Sequence, residues 1–98
     1  MHIDIDHEKK LIREALKQVS GYMGCEKIII QRIRMQVEKG ADDSNIENYV
    51  KSIASDLETL TDTCGDANVQ MNYRYVIGFI NALLRAPSWK NWMQTIEV

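Results

Sequence analysis

Cys25, Cys64, His2 and His7 are the side chains of this 98-residue chain best suited to soft-metal ligation or nucleophilic chemistry. Their spacing suits neither. The cysteines form no CxxC pair, and each falls at a turn between expected helices. The histidines stand at the other end of the first helix, so in an up-down-up-down bundle the four residues do not converge on one zinc ion. Cys25 and Cys64 fall at the same end of such a bundle, where a disulfide is geometrically conceivable. Without a recognisable secretion signal, reduced thiols are expected.

Acidic residues concentrate at Asp42-Asp43 and at Asp56, Glu58 and Asp62. A di-metal bundle needs inward Glu and Glu-x-x-His patterns on several helices, and neither histidine stands in one. Asp56 and Glu58 fall off the apolar stripe of their helix, which places them on a solvated face. No phosphate-binding glycine loop, GxSxG, HExxH or Cys-His dyad spacing occurs. The expectation is a protein that is not an enzyme and takes no cofactor or metal.

Residues 19–34, VSGYMGCEKIIIQRIR, can be laid on a helix-turn-helix. Ser20 would then lie inside the first helix and Gly24 in the turn, with Ile30 and Ile33 packing the second helix. Gln31, Arg32 and Arg34 would face bases or phosphates. Against this, a recognition helix carries polar residues early, where this one has Ile28 and Ile29. The same turn suits an antiparallel helical hairpin.

Composition supports helices throughout. Apolar residues make up 45% and charged residues 27%, with one proline, which fits a single soluble-type domain spanning 1–98. The net charge of −2 conceals an asymmetry: Glu8 to Lys39 carries +4 and Gly40 to Val98 carries −4. Complementary helix surfaces explain such a split, as does a nucleic-acid face opposed to an acidic one. No apolar run approaches the ~20 residues that span a bilayer. With no signal peptide in view, a cytoplasmic location is expected.

The periodicity predicts an all-α antiparallel bundle of four main helices plus a short C-terminal helix. Helix 1 starts at Asp6, carries Leu11, Ile12, Ala15, Leu16, Val19, Tyr22 and Met23, and stops at Gly24. Helix 2 covers about 26–38, closed by Lys39-Gly40, although its isoleucines leave 27–33 open to a strand reading. Helix 3 follows a Ser44/Glu47 capping-box pattern with Ile46, Val50, Ile53, Leu57 and Leu60 on one stripe. Helix 4 is capped by Asp66 or Asn68 and runs to about Arg85. Ser88 then caps the short helix bearing Trp89, Trp92, Met93 and Ile96. Helices 3 and 4 share four-three spacing and are expected to pair as an antiparallel hairpin.

Helix 4 is the most telling element, because it is apolar on two faces. One stripe holds Val69, Tyr73, Val76, Ile80 and Leu83; the other holds Met71, Tyr75, Gly78 and Ala82, with Ile77 and Leu84 between. A helix apolar nearly all round needs cover on all sides, from its own chain or from a second one. The residues expected to make contact are Tyr75, Gly78, Phe79 and Ala82, with Trp89, Trp92 and Met93 beside them.

The pattern Tyr73, Val76, Gly78, Ile80 and Leu83 resembles the C-terminal helix of some small phage-encoded helical proteins. The likeness covers about a dozen residues and implies a viral or mobile-element accessory protein. The expected function is therefore protein interaction or assembly, as a homo-oligomer that also meets another protein. The other readings are a DNA-binding regulator acting through residues 19–34, and an inhibitor whose acidic stretch Asp42 to Asp66 occupies a basic partner surface.

Overall fold

The computed structural model describes residues 2–86, and these form four α-helices: α1 (Ile5–Leu16), α2 (Tyr22–Glu38), α3 (Asp43–Thr61) and α4 (Ala67–Arg85). The short helix expected after Pro87, with Trp89, Trp92 and Met93, lies outside the described residues. Residues 27–33 are helical, which settles the strand alternative.

Local chemistry sets each boundary. The Asp4 carboxylate accepts the His7 amide at 3.1 Å, so α1 begins one residue before the expected Asp6. It ends at Leu16 and not at Gly24. Tyr22 and Met23 keep the apolar rhythm of α1 but belong to α2, because Gly21 takes φ +86° and turns the chain before them. Gly24 consequently sits inside α2, where an added Cβ would meet Val19 Cβ at 3.4 Å.

At the other end of α2, Gly40 takes φ +98° while its amide donates to Val37 and that of Ala41 donates to Gln36. This is a Schellman closure, and it lets buried Ala41 lead directly into the next helix. The N-cap of α3 is Asp42, with Asn45 returning the bond to the Asp42 amide. The expected Ser44/Glu47 pair stands two residues too far along. Asp66 caps α4, accepting from Asn68 and Val69 amides.

The helices alternate in direction along the chain, but consecutive helices are not always neighbours. α3 packs against α4 and α1 against α2 as antiparallel hairpins, and the hairpins meet through α2 with α4 and α1 with α3. Glu8 reaches Tyr49 and Arg13 reaches Asp56, so α1 and α3 run parallel. It follows that α2 and α4 also run parallel. α2 and α3 lie on a diagonal of the bundle.

The core is built from Ile12, Leu16, Ile29, Ile33, Ile46, Val50, Ile53, Leu57, Val76, Ile80 and Leu83, with Tyr49 buried among them. At ~25 cal/mol per Å² of apolar burial, these aliphatic stripes are the main force for folding. One stripe of α4 is thereby used up. No helix among the described residues is long and apolar enough to cross a membrane.

Candidate interaction surface

The second stripe of α4 stays largely uncovered. Met71 is 44% exposed, and Gly78 and Ala82 are exposed. Around Gly78 a Cβ would meet nothing within 4 Å, so the glycine leaves a shallow gap on the helix surface. Tyr75 is half-buried, its ring edge-on to Tyr22 with centroids 5.7 Å apart. Tyr22 and Met23 at the start of α2 are 44% and 81% exposed, extending the apolar surface beyond α4. Both were expected on the inner stripe of helix 1, and the Gly21 turn places them here instead.

Phe79 does not belong to this surface. It is 5% exposed, because it follows Val76 by three residues and precedes Ile80 by one, which turns it toward the core. Of the expected contact residues, the structure therefore brings Tyr75, Gly78 and Ala82 together and withdraws Phe79. Trp89, Trp92 and Met93 fall outside the described residues.

The helix-turn-helix expectation fares differently. The connection runs from Lys17 to Gly21, so Ser20 is in the turn and Gly24 in the helix, the reverse of the fit to that motif. Gln31 is exposed and Arg34 half-buried. Arg32, expected to face nucleic acid, instead points to α1 and clamps the Glu8 carboxylate: Nε donates to Oε1 at 3.0 Å, and Nη2 closes the fork on Oε2.

That clamp belongs to a buried polar cluster invisible in the sequence pattern. Glu8 is 2% exposed and also accepts the Tyr49 hydroxyl at 2.7 Å. Burial pushes the Glu8 carboxyl up, but bonds from Arg32 and Tyr49, with the charges of Arg32 and His7, outweigh it and hold the group below its ordinary value. Burial, reinforced by Glu8, drives the Tyr49 hydroxyl far above its ordinary range. The trio joins α1, α2 and α3 with its charges matched and only Arg32 partly exposed, which suits anchoring.

Two further polar features mark the α1 side. Arg13 forks onto Asp56, with Nε to Oδ2 at 2.8 Å. Beside it lies an open groove of about 560 Å³ between α1 and α3, lined by Lys9, Lys51, Ser52, Ser55 and Asp56. Its charges are partly spent, since Lys51 pairs with Glu47 at 2.9 Å and Asp56 with Arg13.

Cys25 is fully buried and burial raises its thiol pKa, while Cys64 is half-buried with its thiol donating to the Asp66 carbonyl; no disulfide joins them. Among the described residues, no group of three or more His, Cys, Asp or Glu side chains is placed to hold a metal. Comparison with protein-family models, with curated proteins and with solved structures finds no match.

Proposed function

We propose that the chain is a non-enzymatic assembly protein that associates with itself, and through that assembly with another protein, using the outer stripe of α4 and the adjoining start of α2. One observation carries this reading. After α4 has buried one apolar stripe in its own bundle, Met71, Gly78 and Ala82 remain outside, on the stripe whose Tyr75 meets exposed Tyr22 at the start of α2. Methionine and tyrosine at an uncovered surface are residue types enriched in interface cores, and adjacent small residues permit close approach of a second backbone. The likeness of α4 to small phage-encoded helical proteins fits such an accessory role.

Multi-angle light scattering at micromolar concentration tests the proposal. The expected mass is a whole multiple of the 11.3 kDa chain, the smallest being a dimer. A clean monomer across that range overturns it.

A further inference from the structure

The outer stripe of α4 extends past its apolar residues in both directions. Asn68, Met71, Tyr75, Gly78, Ala82 and Arg85 follow one another at intervals of three, four, three, four and three, the spacing of a coiled-coil seam. Each is exposed or half-buried. Their sizes are distributed unevenly: the large side chains Met71 and Tyr75 fill the first half, and the small residues Gly78 and Ala82 fill the second.

That asymmetry decides which pairing the seam fits. In a parallel arrangement Tyr75 would meet Tyr75 and Gly78 would meet Gly78, crowding one layer and emptying another. Reversing one helix about a point midway between Tyr75 and Gly78 puts each tyrosine over the glycine of the other copy. The same operation sets Met71 over Ala82 and Asn68 beside Arg85. Large then meets small in every apolar layer, as interdigitating layers require.

Charge favours the same orientation. α4 contains no acidic residue from Ala67 to Arg85; acids Asp62 and Asp66 precede it, and its bases are Arg74 and Arg85. Antiparallel pairing brings Arg85 of one copy to the Asp66 end of the other, while parallel pairing sets Arg85 against Arg85. The edge-on contact with Tyr22 restricts the Tyr75 ring before pairing, which lowers the entropic cost of seating it.

We propose that two copies of this chain pair through antiparallel α4 helices on a two-fold axis between Tyr75 and Gly78, with Tyr75 seated over Gly78 and Met71 over Ala82 of the second copy. This rests on the self-association proposed above and specifies its geometry. The interface is isologous, so it closes at a dimer through this seam.

Disulfide trapping in the full chain tests the geometry. With Cys64→Ser as background and Cys25 left in place because it is fully buried, Met71→Cys and Ala82→Cys are introduced singly and together. Positions 71 and 82 of one chain lie about 16 Å apart along α4, far beyond disulfide reach, so any bond between them joins two chains. Antiparallel pairing predicts that mild oxidation crosslinks the double variant through residues 71 and 82, and that neither single variant crosslinks. Crosslinking of Ala82→Cys alone to itself overturns the orientation in favour of a parallel pair. A dimer by light scattering that crosslinks in none of the variants overturns the use of this seam while leaving self-association standing. A monomer by light scattering overturns the self-association itself.

Discussion

Glu8 and Tyr49, forty-one residues apart in the chain, meet in the core through a 2.7 Å hydrogen bond, and the Glu8 carboxylate is at the same time held by Arg32. Three helices thus converge on one carboxylate that is 2% exposed. A buried charge is costly unless every partner is present, so the trio fixes the placement of α1 more by what its loss would expose than by its net contribution.

Removing single members of this trio should separate those costs. Tyr49→Phe keeps the ring packing and removes one donor, with an expected loss of about 1–2 kcal/mol. Glu8→Ala leaves the Arg32 guanidinium without its carboxylate and should cost about 3–5 kcal/mol. Urea unfolding followed by circular dichroism measures both. Equal losses from the two variants would mean that the Tyr49 hydroxyl bond, and not the ion pair with Arg32, anchors α1.

The same carboxylate gives a pH dependence of known sign. Its pKa is lower in the folded chain than its ordinary 4.5, so the unfolded chain binds the proton more readily. The stability Glu8 contributes is therefore fully present above about pH 4.5 to 5 and is lost as the pH falls through the folded-state value. Urea midpoints measured from pH 7 to pH 3 should fall more steeply for the natural chain than for Glu8→Gln. Parallel curves for the two chains would remove Glu8 from the acid transition.

Asn72 offers a second internal test. Its side-chain amide donates to the carbonyls of Leu16 at 2.8 Å and Val19 at 2.9 Å, tying the end of α1 and the turn after it to α4. Asn72→Leu keeps the branched shape and strands two carbonyls at the end of α1 and in the turn after it. The expected loss is about 2–3 kcal/mol in chemical unfolding, with faster amide exchange in residues 17–21. An unchanged unfolding midpoint would show that water serves those carbonyls equally well.

The sequence made the helix count, the α3–α4 hairpin and the two-faced character of α4 readable, because long aliphatic stripes at helical spacing leave few other solutions. Boundaries were less readable where two signals competed. Tyr22 and Met23 continue the rhythm of α1 across the break, and only the left-handed Gly21 reveals that the helix has ended. Asp42 and Ser44 are both good caps with a plausible partner three residues on, and periodicity does not choose between them. Glu8 and Arg32 look like solvated charges in a one-dimensional reading, since nothing local shows that Tyr49 lies opposite them. Phe79 stands at the border between the two α4 stripes, so its assignment turned on a few tens of degrees of helix rotation.

Arg32 also supplies the test of the nucleic-acid reading. Because its guanidinium is held by Glu8, Arg32→Ala should lower stability by about 3 kcal/mol through the orphaned carboxylate, without altering any affinity for duplex DNA. A salt-titrated binding assay with Arg32→Ala and Arg34→Ala should show no specific submicromolar binding at physiological salt in any of the chains. Specific binding that weakens, with a flatter salt dependence, in the arginine variants would reverse the ordering of the two functional readings.

Gly78→Leu distinguishes an interface glycine from a core glycine. An added Cβ at this exposed position meets nothing within 4 Å in the single chain, and leucine is favoured over glycine in a helix by roughly 0.8 kcal/mol, so the bundle should keep or slightly raise its melting temperature. In the paired state the same leucine fills the gap over which Tyr75 of the other copy is seated. Pairing should weaken, with the dimer dissociation constant measured by light scattering or sedimentation rising at least about tenfold, equivalent to ~1.4 kcal/mol, while helicity is retained. Tyr75→Ala should also weaken pairing, by emptying the same layer from the opposite side, though it removes the Tyr22 contact as well. Loss of helicity and of assembly together in Gly78→Leu would place the glycine inside the fold, and undiminished pairing with intact helicity would place the interface elsewhere.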